Sequence, residues 1–252
     1  MTTTNSAAGK PVAGLGERRG VEAEHAAATR AMFDRLSGRY DLMNRVLSGG
    51  VDARWRKAAV AALGPLPEGP LLDLCAGTLD LSALFERTFA GREVVAADFS
   101  AEMLERGRAR GITRRTRTVV ADAMTLPFEA GAFAGAAVAF GLRNVARPPA
   151  ALAELRRVLK PGGRLAVLEF FKPVGAGSKL FYAAYGRAVM PTLGRLLAGD
   201  GEAYRYLVES TKGFYERTEF ERELGLAGFL CVRGRELFPL GVASLVVAEV
   251  PR

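Results

Sequence analysis

The stretch LLDLCAGTLDLS, residues 71–82, decides the fold: a short apolar run ends in a turn of small residues, and an acidic helix start follows at Asp80. Strand, tight turn and helix in that order let a ligand approach the backbone at the carboxyl edge of a parallel sheet. A dinucleotide-binding turn would read G-x-G-x-x-G, because its glycines and the helix N-terminus must cradle a doubly negative pyrophosphate. This turn offers only Gly77.

Outward from it, short apolar runs alternate with helix-like stretches, the pattern of an open sheet covered on both faces. The runs predict seven strands at 70–75, 93–98, 116–120, 135–140, 164–170, 229–236 and 243–248. Helices are predicted at 80–89, 101–110, 149–159 and 218–226; the third opens after Pro148 and closes before Pro161, Gly162 and Gly163. The predicted architecture is therefore α/β and Rossmann-like, a seven-stranded, mostly parallel sheet with flanking helices. Residues 1–26 read as a flexible leader and 27–252 as a single domain, with N-terminal helices in 27–66 and a helical insertion over the site at 178–212.

Three carboxylates carry the ligand reading. Asp80 at the helix start would repel a pyrophosphate but suits a ligand bearing an ammonium and a sulfonium; taken alone, it is an ordinary N-terminal helix charge. Asp98 ends the next apolar strand, where an acidic side chain accepts hydrogen bonds from both ribose hydroxyls. Asp122-Ala123-Met124 follows the third strand, placing a carboxylate or backbone near an adenine amino group and an apolar side chain against the ring. Loop, Asp98 and Asp122 together describe an adenosine site without a pyrophosphate cradle, which favours S-adenosylmethionine over a nicotinamide cofactor. The predicted cofactor-binding set is Asp73, Gly77, Thr78, Asp80, Asp98, Phe99, Asp122, Ala123, Met124 and Ala139.

Composition narrows the classes. The chain has 252 residues, 49% hydrophobic and 25% charged, enough for one substantial core. No apolar run is long enough to span a bilayer, and the first 30 residues lack the apolar centre of a secretory signal. The expected location is cytoplasmic, against the inner face of the membrane if the substrate is a lipid. A formal net charge of +8 favours an anionic partner, and the arginines at 106, 108, 110, 114, 115 and 117 read as a solvated face. No nucleic-acid recognition module is visible, so no nucleic-acid partner is expected. Cys75 and Cys231 fall in apolar runs without metal-site spacing and read as buried, reduced thiols, and no metal site is predicted. His25, the only histidine, lies outside every motif.

Three further stretches resemble the ubiquinone and menaquinone biosynthesis C-methyltransferase family: FDRLSGRYDLMNRV (33–46), FGLRNV (140–145) and RVLKPGGRLAVLEFFKP (157–173). The later YRYLVES (204–210) and FPLGVASLVVAE (238–249) are similar to the family's C-terminal region. The resemblance implies a class I S-adenosylmethionine-dependent methyltransferase acting on a ring carbon of a polyprenyl quinol, demethylmenaquinol first. By the same resemblance Thr78, Asp98, Asp122 and Ala123 fall on cofactor-binding positions, and Arg143 and Asn144 lie beside the reacting ring. The chain departs from the family at Leu79, where a second glycine is usual, so that Leu79 is expected to crowd the cofactor. It departs again at Val51-Asp52-Ala53, where a His-Arg pair is common, and at Ala139, where a Ser is.

A deprotonated hydroquinone pushes electron density onto its ring carbon, so the expected substrate is the reduced quinol. Arg143 is a poor base but its charge would stabilise a quinol oxyanion; Asn144 would bond the same oxygen, and Tyr40 or Asp41 would relay the proton. The expected catalytic set is thus Arg143, Asn144 and Tyr40. Peripheral membrane contact follows from the lipid substrate, and a homodimer is compatible with the sequence. Two other readings stay open: a methyltransferase for another phenolic small molecule, and a non-catalytic protein that binds an adenosine ligand.

Overall fold

In the computed structural model, residues 50–174, 210–237 and 243–252 are described. The elements in chain order are α1 (Asp52–Ala62), β1 (Leu71–Leu74), α2 (Asp80–Thr88), β2 (Val94–Asp98), α3 (Ala101–Ala109), β3 (Arg117–Val120) and β4 (Phe133–Ala139). A 3₁₀ turn (Leu142–Asn144), α4 (Pro148–Val158), β5 (Leu159–Glu169), α5 (Arg217–Leu226), β6 (Leu230–Leu237) and β7 (Ala243–Glu249) complete them. The sheet order is β3-β2-β1-β4-β5-β7-β6, parallel except for β7, which runs antiparallel to both β5 and β6.

Local chemistry sets the boundaries. Ser100 caps α3 by accepting from the Met103 N–H (3.1 Å). Pro148 opens α4, where a missing N–H costs nothing, and Glu216 with Glu219 forms a reciprocal capping box on α5. The largest boundary difference from the sequence reading is at β5. β5 begins at Leu159, not Arg164, because Leu159 already pairs with Phe133 across a register shift. The KPGG run is thus an irregularity inside the strand.

Alternation along the buried strands divides the core. Leu72 and Leu74 of β1 face a cluster with Leu152 and Leu155 of α4 and Phe220 and Leu224 of α5. Leu71, one residue away, faces the opposite cluster with Trp55 and Ala59 of α1 and Leu81 and Phe85 of α2. Asp73 shares the face of Leu71, so a carboxylate lies under α1 and α2. The strand order reverses between β1 and β4, which are direct neighbours. That switch point opens a crevice at the carboxyl ends of the two strands, where ligands of open α/β sheets bind.

Candidate active site

Two loops face each other across the switch point, one after β1 (75–79) and one after β4 (140–145). They approach so closely that a Cβ on Gly141 would lie 2.3 Å from Cys75 Cβ. Strained backbone gathers here: Cys75, Leu79 and Phe140 all have positive φ, at 56°, 69° and 61°. Each costs of order 1–3 kcal/mol and persists only where the surroundings over-determine it, a pattern that clusters at functional sites.

The β1 loop is tied to β2 through Asp98, which is buried. Its Oδ2 accepts from the Gly77 N–H (2.9 Å) and its Oδ1 from the Ser100 N–H (2.9 Å). Those two N–H donors hold the carboxylate in a fixed orientation at the end of β2. Thr78 is buried, and its carbonyl accepts from Arg110 Nη1 (2.9 Å), while Arg110 Nη2 reaches Asp80 Oδ1 (2.8 Å). This corrects one expectation: Arg110 is not part of a solvated face but fastens the loop, with Asp80 as its ionic partner.

Leu79 does not crowd the loop's open side. It is fully buried among Ala76, Ala96 and Leu104, directly above Gly107 of α3. The positive φ that a glycine would accept freely is held here by packing. Asp73 is also buried and accepts from Ser82 Oγ (2.5 Å). Burial pushes its carboxyl up to about 7, against the opposing pull of the Ser82 hydrogen bond and the Arg56 charge.

After β3, Asp122 is exposed and its Oδ1 accepts from the Met124 N–H (2.8 Å), closing a tight turn with Ala123 buried and Met124 half-buried. Phe99 and Ala139 are half-buried at the ends of β2 and β4. Thus Gly77, Thr78, Asp98 and Phe99 sit around one strand edge, with Ala139 on the far side of the crevice.

The FGLRNV loop carries an ion pair that sequence spacing does not show. Arg143 Nη1 donates to the Phe140 carbonyl (2.9 Å) and to Glu169 Oε1 (2.5 Å), and the pair is 6% and 0% exposed. Its charge is therefore committed to a carboxylate of the protein. Asn144 Nδ2 reaches the same Phe140 carbonyl (3.4 Å). Glu169 was missed in the sequence, although a carboxylate ending a buried central strand demands a partner and could have flagged itself. Burial raises its carboxyl above the usual range against the pull of Arg143. Phe140 and Phe170 stack at 4.6 Å, with Trp55 against both and Arg143 over Phe170.

Both cysteines are free thiols, as expected, but neither is fully buried. Cys75 lies in the turn beyond β1, half-buried, its thiol pushed well above the ordinary value by burial and nearby carboxylates. Cys231 is exposed on edge strand β6. Tyr40, Asp41, His25, most of the N-terminal helices and most of the 178–212 insertion lie outside the described residues.

The donor set fits S-adenosylmethionine: Asp98 for hydroxyls, Asp73 near the loop for a cation, and Arg56 with a buried, unbonded Nε on the same side as Asp73. The comparisons agree. The ubiE/COQ5 methyltransferase family matches residues 21–248. A Thermus thermophilus protein named demethylmenaquinone methyltransferase is 45% identical over 225 residues, 87% of this chain and 100% of its own length. A Cereibacter sphaeroides protein named ubiquinone/menaquinone biosynthesis C-methyltransferase UbiE is 40% identical, covering 89% of this chain and 91% of itself. Among solved structures, a Haemonchus contortus phosphoethanolamine N-methyltransferase complexed with S-adenosylhomocysteine superposes with a TM-score of 0.62 at 14% identity, over 89% of this chain and 60% of that one. A methyltransferase of Thermotoga maritima superposes at 0.60 and 19% identity, over 88% and 99%. At such identities the structural likeness concerns the fold.

Proposed function

The chain belongs to the ubiE/COQ5 methyltransferase family, and from that premise we propose that it transfers a methyl group from S-adenosylmethionine to a ring carbon of a polyprenyl quinol, converting demethylmenaquinol to menaquinol. The observation that carries the adenosine half is Asp98 bonded to the Gly77 N–H at the switch point, a fixed acceptor at the edge of β2. The 45% identical relative named for demethylmenaquinone, matched along its entire length, favours menaquinol over the ubiquinol precursor.

When bound, the sulfonium supplies an electrophilic methyl for in-line displacement by the ring carbon. The protein's contribution is to position and desolvate the reactants. Asp98 would take the ribose, Asp73, Gly77, Thr78 and Asp80 the amino-acid side, and Phe99, Asp122, Ala123 and Met124 the adenine, with Ala139 flanking the crevice. Arg143 cannot accept a proton, but its charge lowers the pKa of a quinol hydroxyl held beside it. Glu169 and the Phe140 carbonyl hold that charge in place. Asn144 and Tyr40 complete the proposed ring-side set. Residues 27–252 would act as one domain.

Among the described residues no helix is long and apolar enough to cross a membrane. The lipid substrate and the +8 net charge support peripheral contact with the inner face of the membrane.

The test is mass spectrometry of demethylmenaquinol and of the demethylated ubiquinol precursor, each incubated under reducing conditions with purified protein and S-adenosylmethionine. Gain of one methyl group on demethylmenaquinol is expected. No gain on either quinol, with cofactor binding intact, would move the assignment to another phenolic substrate.

A further inference from the structure

S-Adenosylmethionine carries a carboxylate as well as two positive charges. The acidic side chains around the β1 loop suit the cations and the ribose, but Asp73 and Asp98 would repel the carboxylate. A buried carboxylate needs a cation or several N–H donors.

Arg110, Arg143 and Arg56 are among the cations that the described elements bring to these loops. Arg110 is engaged by Thr78 and Asp80, and Arg143 by Glu169 and Phe140. Arg56 is different. It projects from α1, and its guanidinium carbon lies 5.4 Å from the centre of the Phe140 ring, at the β4 side of the crevice. Its charge is felt at Asp73, the carboxyl beneath the β1 loop. The side chain is only 12% exposed, and its Nε is buried with no hydrogen-bond partner. Its ionic contact, Asp52 Oδ2 at 3.6 Å, orients the group without forming a hydrogen bond.

A guanidinium Nε taken out of water without a hydrogen bond is costly, and such an atom beside the crevice implies something that completes the group. We propose that Arg56 binds the carboxylate of the amino-acid portion of S-adenosylmethionine, clamping the end of the ligand opposite the adenine. A planar fork meeting a planar carboxylate gives paired, charge-assisted bonds. The clamp would fix the sulfonium along the crevice between the Gly77 loop and Phe140. This inference rests on the cofactor reading above and adds the residue that reads the cofactor's negative end.

Calorimetric titration with three ligands tests it: S-adenosylhomocysteine, its decarboxylated analogue, which keeps the ammonium, and methylthioadenosine, which has neither group. The wild type should bind S-adenosylhomocysteine roughly 10- to 100-fold more tightly than the decarboxylated analogue. Arg56→Met should erase that preference and leave methylthioadenosine affinity unchanged, and Arg56→Lys should restore part of it. Equal weakening of all three ligands by Arg56→Met would make Arg56 a structural residue and overturn the proposal. So would a wild type that does not distinguish the first two ligands, a result that needs no variant to fold. A wild type that binds none of the three would instead overturn the cofactor reading itself.

Discussion

Arg143 and Glu169 form an ion pair all but sealed from solvent, with Nη1 2.5 Å from Oε1. The two partners are not equally replaceable. A buried carboxyl whose proton affinity is already raised can neutralise itself, whereas an arginine cannot. Glu169→Leu should therefore destabilise the fold by about 3–5 kcal/mol and Arg143→Met by visibly less, most clearly in mild acid. The double variant should recover most of the stability and still lack turnover. Denaturant unfolding of the three variants checks the order; equal losses for both single changes would contradict it.

Gly107 leaves no room for a side chain, since a Cβ there would meet Leu79 Cγ at 2.5 Å and the Thr78 carbonyl carbon at 2.9 Å. Gly107→Ala should cost about 1–3 kcal/mol by overpacking. Leu79→Gly relieves the positive φ but empties a buried site, for a net loss of about 2 kcal/mol. Combined, the two should be less harmful than their sum by at least about 1 kcal/mol, as expected of neighbours that share one space.

The contact between Gly141 and Cys75 joins the two loops of the crevice. Gly141→Ala should push them apart and lower affinity for S-adenosylhomocysteine roughly 10-fold or more. Cys75→Gly removes the obstructing Cβ at a residue whose φ of 56° suits glycine. Adding it to Gly141→Ala should restore binding, measured by titration of the purified variants.

Asp73 predicts a pH effect on stability. Its carboxyl titrates near 7 in the folded chain, above its ordinary value of 3.8, because burial disfavours the charge. A raised carboxyl stabilises the fold fully below the unfolded pKa, and that contribution is lost as pH rises through the folded value. Asp73→Asn should therefore gain on the wild type between pH 5 and pH 8 by on the order of 3 kcal/mol. Thermal unfolding at the two pH values measures this; a difference that does not change with pH would show that Asp73 is ionised throughout.

Most of the sheet was legible because buried parallel strands are written as apolar runs between turn residues. Each predicted strand contains the core of an observed one, from 71–74 to 243–248. The positions of Gly77, Asp98 and Asp122 after successive strands were legible too, and the fold brings those strand ends to one edge of the sheet. The side-chain partnerships were not. Glu169 and Arg143 are 26 residues apart, and Arg110 reaches Asp80 across 30. Leu79, read as an obstruction, turns toward α3.

Periodicity and punctuation are local properties, so the sequence by itself determined the order of elements and the family. Which charge meets which, whether a loop leucine faces ligand or core, and that Arg56 on α1 comes over Phe140 depend on distances closed only when the sheet twists and α1 packs across it. Tertiary structure alone decided those, because burial and pairing energies belong to neighbours in space that no spacing along the chain records.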